Sequence, residues 1–356
     1  MKYFITGITG FIGSNLARYL LAEGHQVNAL VRNLEDAKTF GHPNLHLFKG
    51  DLQNKWALYD GMEGCDVVFH LAAFAKPWSK DPNTFHKINV EGTVNVFATA
   101  KKAGVRKVVF TSSAATMSPS KGNSPTDEST GRNEPFFNEY EATKSEAERI
   151  ARDFSSEGLE IVIVNPSRVY GPGPLNPSNS ATKMIRGYYN GTWKIIPGDG
   201  KKTGNYVFID DVINGYILAA EKGKAGERYI LGGENITFDE FFLTVEKVTG
   251  VHRKMFHLPL FVMFAAARLM EWQNKITGIP PAITASWVKK YLHDWSLSSA
   301  KAERELGYQI TSFEDGVRKT IEWMREFSLL DYYEKDASIS PGEAMKFHSY
   351  STNTVI

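Results

Sequence analysis

The chain has 356 residues, 42% hydrophobic and 12% aromatic, enough apolar side chain for a large core and two lobes. Its 41 Lys and Arg balance 40 Asp and Glu, so charge gives no argument for a nucleic-acid partner. A single cysteine, Cys65, excludes an internal disulfide framework and suggests no metal; its best reading is a small buried apolar residue, and no metal site is expected.

In chain order, the apolar run Tyr3 to Thr6 predicts a buried strand that breaks into Gly7-x-x-Gly10-x-x-Gly13, followed by a helix in which Ile12, Leu16 and Leu20 share one face. Glycines suit a sharp turn where a phosphate meets the backbone without a Cβ in the way, and the first N–H groups of the helix then face that anion. The fold is expected to begin almost at Met1 with no targeting signal before the first strand, which gives the cytoplasm as the expected location.

A second strand, 26–31, ends at Arg32. An acidic residue at this place in an open parallel sheet bonds the ribose 2′-hydroxyl of NAD, whereas arginine suits the 2′-phosphate of NADP. Arg32, with Asn33 and Lys38, therefore predicts NADP, with NAD as the alternative if Arg32 is a plain surface cation. Strands at 45–48 and 66–69 run into Gly50-Asp51-Leu52 and His70-Leu71-Ala72-Ala73, strand ends where a ribose or adenine can lie close to backbone. A long helix is expected over 84–103; its Asn89 is either an ordinary satisfied polar side chain or a brace for the backbone near the site.

The fifth strand, 107–110, leads to Thr111-Ser112-Ser113-Ala114, and the irregular stretch 117–138 is longer than a plain connection needs, so it reads as a functional loop. Tyr140-Glu141-Ala142-Thr143-Lys144 opens a helix to about Phe154, and a sixth strand, 161–164, exits into 165–173. Strands alternating with helices at this spacing predict an α/β fold with a doubly wound parallel (Rossmann) sheet. From Pro174 the rhythm changes: irregular chain to Gly204, a short strand at 206–209, a helix to about Ala220, then helices at 238–248, 258–272, 283–291 and 313–325. The stretch 258–267 is too short to span a bilayer and reads as a core or pocket-lining helix, with peripheral contact with lipid as the alternative. The expected division is a dinucleotide-binding domain, 1–175 plus about 205–230, and a smaller, mostly helical lobe for substrate, about 176–204 plus 231–330. The polar tail 331–356 is expected to be loosely ordered or to pack on a neighbour.

Tyr140 and Lys144 lie four apart on a helix, hence on one face. A phenol is a poor acid or base near neutrality because its ordinary pKa is about 10, and a nearby ammonium lowers it toward the working range. Ser113 is placed to hydrogen-bond the same substrate oxygen. With 15 tyrosines, about one Y-x-x-x-K match arises by chance, so the weight rests on order: glycine turn, then serine after a strand, then tyrosine opening the next helix.

In TGITGFIG (6–13), GDL (50–52), HLAA (70–73), TSSA (111–114), YEATK (140–144), NPSRVYGPG (165–173) and FIDDV (208–212), residues 2 to 327 resemble the extended short-chain dehydrogenase/reductases, the NAD(P)-dependent epimerases, dehydratases and reductases. The resemblance implies Ser113, Tyr140 and Lys144 as the catalytic set, Lys144 also bonding the nicotinamide ribose. It implies cofactor contacts at Gly7, Thr9, Gly10, Phe11, Ile12, Gly13, Arg32, Asp51, Leu52, Leu71, Ala72 and Ala73, with Pro166 and Val169 near the nicotinamide. A homodimer through the helices at about 84–103 and 140–154 is a further implication.

Nucleotide-sugar members usually carry an acid after the second strand, an asparagine before YGPG and an arginine shortly before the FIDDV-like segment. Here those places hold Arg32, Arg168 and Gly204; Arg168 or Lys202 could substitute as partners for a diphosphate. YEATKSEAE, GDGKKTGNYVFIDD and the block from LPLFVMF to SLSSAKAERELGY look like the 3β-hydroxysteroid dehydrogenase-like and dihydroflavonol reductase-like branches, which imply an apolar ketone or alcohol as substrate. Tyr188, Tyr189, Trp193, Phe261, Phe264 and Trp272 would suit an apolar pocket, or are simply that lobe's core. The leading expectation is an NADP(H)-dependent oxidoreductase acting on a small molecule; the alternatives are a nucleotide-sugar epimerase or dehydratase with tightly bound cofactor, and a redox-sensing binding module without turnover.

Overall fold

Alternate residues of the first strand face different cores: Tyr3 and Ile5 join one buried cluster and Phe4 another. A strand buried on both faces needs apolar side chains in both directions, which explains the near-continuous hydrophobic runs of the central strands. The computed structural model describes residues 1–122, 124–174 and 179–335; the expected tail lies outside the described residues from 336 onward. Seven strands, β1 (Lys2–Thr6), β2 (Gln26–Val31), β3 (Leu45–Lys49), β4 (Val67–His70), β5 (Lys107–Thr111), β6 (Glu160–Pro166) and, later in the chain, Arg228–Leu231, form one all-parallel sheet. β1 lies between β2 and β4, so the strand order reverses there, and helices cover both faces as in a Rossmann fold.

The remaining strands build two small sheets. β7 (Arg168–Tyr170), β9 (Thr203–Phe208) and Glu234–Thr237 form one; β8 (Ile195–Pro197) pairs with Phe256–Leu258 in the other. With the large-sheet strand Arg228–Leu231 as β10, these two later strands are β11 and β12. The short strand expected at 206–209 is therefore β9, and it lies outside the large sheet. The strand that does complete that sheet, β10, reads RYIL beside two glycines and gave no clear signal. The stretch expected to be irregular up to Gly204 holds a helix, Ser180–Tyr189, whose Ala181, Met184, Ile185 and Tyr188 are buried at helical spacing. Prolines and glycines on either side hid that period. The C-terminal region is helical, with Phe238–Thr249, Leu260–Thr277, Ala285–Lys289, Ala300–Leu306 and Phe313–Lys335, the last running past the expected start of the tail.

The helix Glu139–Ser156 buries charge on its inner face: Glu141, Lys144 and Glu148 are each at most 2% exposed. Glu148 accepts hydrogen bonds from Ser112 (2.5 Å), Thr116 (2.9 Å) and Asn165 (2.7 Å), and pairs with Arg228 of β10 at 3.5 Å. One carboxylate thus joins the ends of β5 and β6 to the sheet's last strand. Removing it takes the carboxylate from a partly buried guanidinium and leaves three buried polar groups without their acceptor, so Glu148→Ala is expected to cost about 3 kcal/mol in urea unfolding, with Glu148→Gln costing less because its amide oxygen still accepts.

Candidate active site

Parallel register lines up Phe48, Leu30, Thr6, His70, Phe110 and Ile163 across six strands. Gly7, Arg32, Asp51, Leu71, Ser113 and Pro166 follow this line at the carboxyl ends of β1 to β6, where open α/β sheets take their ligands, while Tyr140 and Lys144 come from the helix Glu139–Ser156 and Val169 from β7.

At the end of β1, Gly7 adopts φ +81°, and a Cβ there would stand 2.8 Å from the Ala72 nitrogen. A Cβ on Gly13 would meet the Gly7 carbonyl oxygen at 2.2 Å, so the helix packs on the turn only without one. That helix, Phe11–Ala22, starts at Gly10 with no side-chain cap and no acid in its first turn. A close-approach turn feeding an uncapped helix terminus fits a dinucleotide pyrophosphate. Phe11 is buried and Ile12 partly buried in the core beneath, while Thr9 is exposed beside the turn. Ala72 donates its N–H to Thr6 at 3.1 Å, which holds Leu71, Ala72 and Ala73 against Gly7.

Arg32 is exposed just past β2 and has no ion pair among the described residues. Its expected companions are otherwise engaged: Lys38 pairs with Glu35 at 2.6 Å, and Asn33 caps the turn that follows by accepting from the Glu35 N–H. Asp51 is exposed and accepts from the Gln53 N–H at 2.9 Å, with Leu52 buried beside it. Pro166 is buried at the end of β6, and Val169 is partly buried on β7.

Ser113 and Tyr140 meet. Burial raises the Tyr140 phenol, a hydrogen bond from Ser113 lowers it, and Glu141 raises it. Ser113 Oγ itself accepts from the Ala115 N–H at 3.2 Å, which fixes the rotamer. Lys144 takes a different position from the one its spacing suggests: its ammonium donates to the Thr111 carbonyl at 2.5 Å and lies 4.3 Å from the Phe110 ring centre. Burial lowers this amine to about 7, partly offset by Glu148. The expectation of a phenol depressed by a neighbouring ammonium is therefore not met here; burial dominates both groups.

A polar chain lies behind the site, and of its members the sequence singles out only Asn89. His70 bridges Thr6 (2.7 Å) and Thr93 (3.0 Å), and burial, with Lys144 adding to it, pushes its imidazole down to about 3, so it stays neutral. Thr93 donates to the Asn89 carbonyl at 2.7 Å. Asn89 sits in a π-helical turn, Lys87–Glu91, where it donates to Thr143 Oγ1 at 3.1 Å and exchanges bonds with the Phe74 backbone. Of the two readings of Asn89, bracing backbone near the site is the one this geometry supports. The only available signal was polar residues inside otherwise apolar elements.

On the C-terminal side, Arg168 donates to Tyr206 Oη at 3.0 Å, with its guanidinium 5.3 Å from the Tyr206 ring centre and 5.7 Å from that of Phe238. A Cβ on Gly204 would collide with it at 2.2 Å. Lys202 is paired with Asp294 at 3.0 Å. Of the aromatic residues considered for a pocket, Tyr188 is fully buried and donates to Glu246 at 2.8 Å, Tyr189, Trp193 and Phe264 pack on core clusters, and Phe261 and Trp272 face solvent.

Comparison with known proteins follows the same lines. The profile of the NAD dependent epimerase/dehydratase family matches residues 3–232. Over 328 residues the chain is 32% identical to a putative dihydroflavonol 4-reductase of Synechocystis sp., covering 91% of this chain and 94% of that one. It is 29% identical over 334 residues to sterol demethylase protein B of Methylococcus capsulatus, covering 93% and 100%. The crystal structure of gox2253 superposes with a TM-score of 0.77 at 35% identity, covering 91% of this chain and 98% of that one.

Two tests follow from the geometry. Gly13→Ala is expected to weaken dinucleotide binding by roughly 100-fold in calorimetry, about 2.7 kcal/mol, because helix and turn must part. Between pH 7 and 9 the unfolded chain protonates Lys144 while the folded one does not, so stability rises with pH; Lys144→Met should remove up to about 1.4 kcal/mol per pH unit from that slope.

Proposed function

The chain belongs to the NAD dependent epimerase/dehydratase family, an extended short-chain dehydrogenase/reductase, and from that premise we propose that it is an NADP(H)-dependent oxidoreductase interconverting an apolar ketone and its secondary alcohol. The observation that carries the reading is the contact of Tyr140 with Ser113 at the ends of β5 and the following helix, beside a glycine turn shaped for a pyrophosphate.

Gly7, Gly10, Gly13 and the helix N-terminus hold the dinucleotide, with Arg32 at the adenosine ribose and Pro166 and Val169 near the nicotinamide. When bound, the nicotinamide supplies or accepts the hydride. The work of the chain is orientation and proton transfer. The Ser113 hydroxyl holds the substrate oxygen, and the Tyr140 phenol gives it a proton in reduction or takes one in oxidation. Lys144, buried and anchored on the Thr111 carbonyl, reaches the nicotinamide ribose as a hydrogen-bond donor. Asn89 and Thr143 brace the first turn of the Tyr140 helix, so the phenol keeps its aim.

An exposed, unpaired Arg32 supports NADP over NAD, since a 2′-phosphate gives the guanidinium the counter-charge it lacks. The relatives are named as a flavonol reductase and a sterol demethylase protein, which favours an apolar substrate. A nucleotide-sugar substrate would need partners for its diphosphate; Gly204 offers none, Lys202 is held by Asp294, and Arg168 is bonded to Tyr206. Pairing of two copies through the helices at about 84–103 and 140–154, in the cytoplasm, belongs to the same reading.

Tyr140→Phe is expected to lower turnover by about 10²–10⁴-fold while leaving cofactor affinity nearly intact; retained activity overturns the assignment. Arg32→Asp should cost about 10- to 100-fold in NADP affinity, measured against NAD in the same titration. Net consumption of NADPH with a panel of apolar ketones supports the proposal, whereas conversion of UDP- or TDP-sugars without net nicotinamide change replaces it with the epimerase reading.

A further inference from the structure

Helix Leu260–Thr277 is little buried for its apolar content: of its 18 residues only Ala267 is fully buried. Phe261 is 75% exposed, Leu269 62%, Trp272 61% and Ile276 65%. At 3.6 residues per turn, these four and Ala265 fall within about 100° of arc, a single continuous stripe. The opposite side is occupied, since Met263, Phe264 and Ala267 pack on Ala285, Val288 and Tyr291. The helix therefore has a settled inner face and an apolar outer face that the rest of the described chain leaves uncovered.

Charge in the segment that carries the stripe is one-sided. From 252 to 290 the basic residues are Arg253, Lys254, Arg268, Lys275, Lys289 and Lys290, and the only acid is Glu271. Lys290 points inward to Glu141 at 2.8 Å, and Glu271 accepts from the Ala285 N–H at 2.8 Å while its other oxygen pairs with Arg268 at 3.5 Å, leaving Lys275 as the flanking cation without an ion pair among the described residues. Arg268 and Lys275 lie together along one edge of the stripe, each one position before an apolar member of it. In a chain whose charges otherwise balance, this is a basic amphipathic surface with a tryptophan and a phenylalanine on its apolar side.

We propose that this outer face docks the protein on an anionic lipid bilayer, the helix lying in the interfacial plane. No helix among the described residues is long and apolar enough to cross a membrane, so the contact is one of lying on the surface. The stripe enters the headgroup and acyl boundary while the flanking cations meet lipid phosphates. A second copy of the chain fits less well, because the segment's one acid, Glu271, is already paired with Arg268 and two such faces would set their remaining cations together. Residues 336–356 would bring only Asp336 and Glu343 against Lys346.

Co-sedimentation of the full chain with phosphatidylcholine vesicles, with and without phosphatidylglycerol, tests this without turnover and so stands apart from the proposed reaction. Binding is expected to the anionic vesicles and to weaken as salt screens the cations. The double change Leu269→Ser and Trp272→Ser should cut it by at least about tenfold, with an unchanged melting temperature because both side chains are exposed. Arg268→Gln with Lys275→Gln should weaken binding and flatten its salt dependence. Four results overturn the proposal: a wild-type chain that stays in solution with both vesicles, or a serine variant that binds as well as wild type. The others are a solution mass that falls in the serine variant, which assigns the face to a second copy, and binding only after removal of 336–356, which assigns it to the tail.

Discussion

A helix that turns charge toward the sheet sets the geometry of this protein. Glu141, Lys144 and Glu148 recur at spacings of three and four along Glu139–Ser156, so all three enter the interior together, and buried charge is tolerated only where each group finds partners. Glu148 finds them at the ends of β5 and β6, Lys144 at the Thr111 carbonyl, and Glu141 at Arg132 (3.0 Å) and Lys290 (2.8 Å). Tyr140, one residue before Glu141, is carried by the same rotation of the helix to Ser113.

The Glu141 pair also explains how distant parts of the chain reach the site. Arg132 belongs to the long loop after β5 and uses its guanidinium on the Ala115 and Met117 carbonyls as well as on Glu141. Lys290 comes from the C-terminal helical region, lies against the Trp287 and Trp295 rings, and is lowered by burial while Glu141 raises it. The loop is held again by bridges from Ser120 to Asp294 and from Thr126 to Leu297. Ion pairs of this kind contribute little net stability, yet they discriminate strongly against other arrangements, because a displaced partner leaves a charge stranded.

The two ends of the C-terminal region divide the remaining work. Its inner surface meets Phe238 through Tyr291, edge-on at 5.7 Å between ring centres, beside Arg168, which is bonded to Tyr206. Its outer helix carries the uncovered apolar stripe. The inner face of that helix packs on Ala285, Val288 and Tyr291, and its outer face is left to the exterior.

What the sequence alone determined is the part encoded in local pattern. Glycine spacing at 7, 10 and 13 marks a turn because only a missing Cβ permits the 2.2 Å approach, and β-branched runs alternating with helical periods mark a doubly wound sheet. The order of Ser113, Tyr140 and Lys144 relative to those elements could likewise be read along the chain. Tertiary structure decided what depends on contacts between residues far apart: that β10 rather than β9 completes the sheet, and that Lys144 turns to the Thr111 carbonyl. It also decided that His70 and Asn89 form a polar chain behind the site, and that Phe261 and Trp272 face outward. Helical period tells which side chains share a face, but only the packing of the whole chain determines whether that face meets a core, a ligand or the solvent.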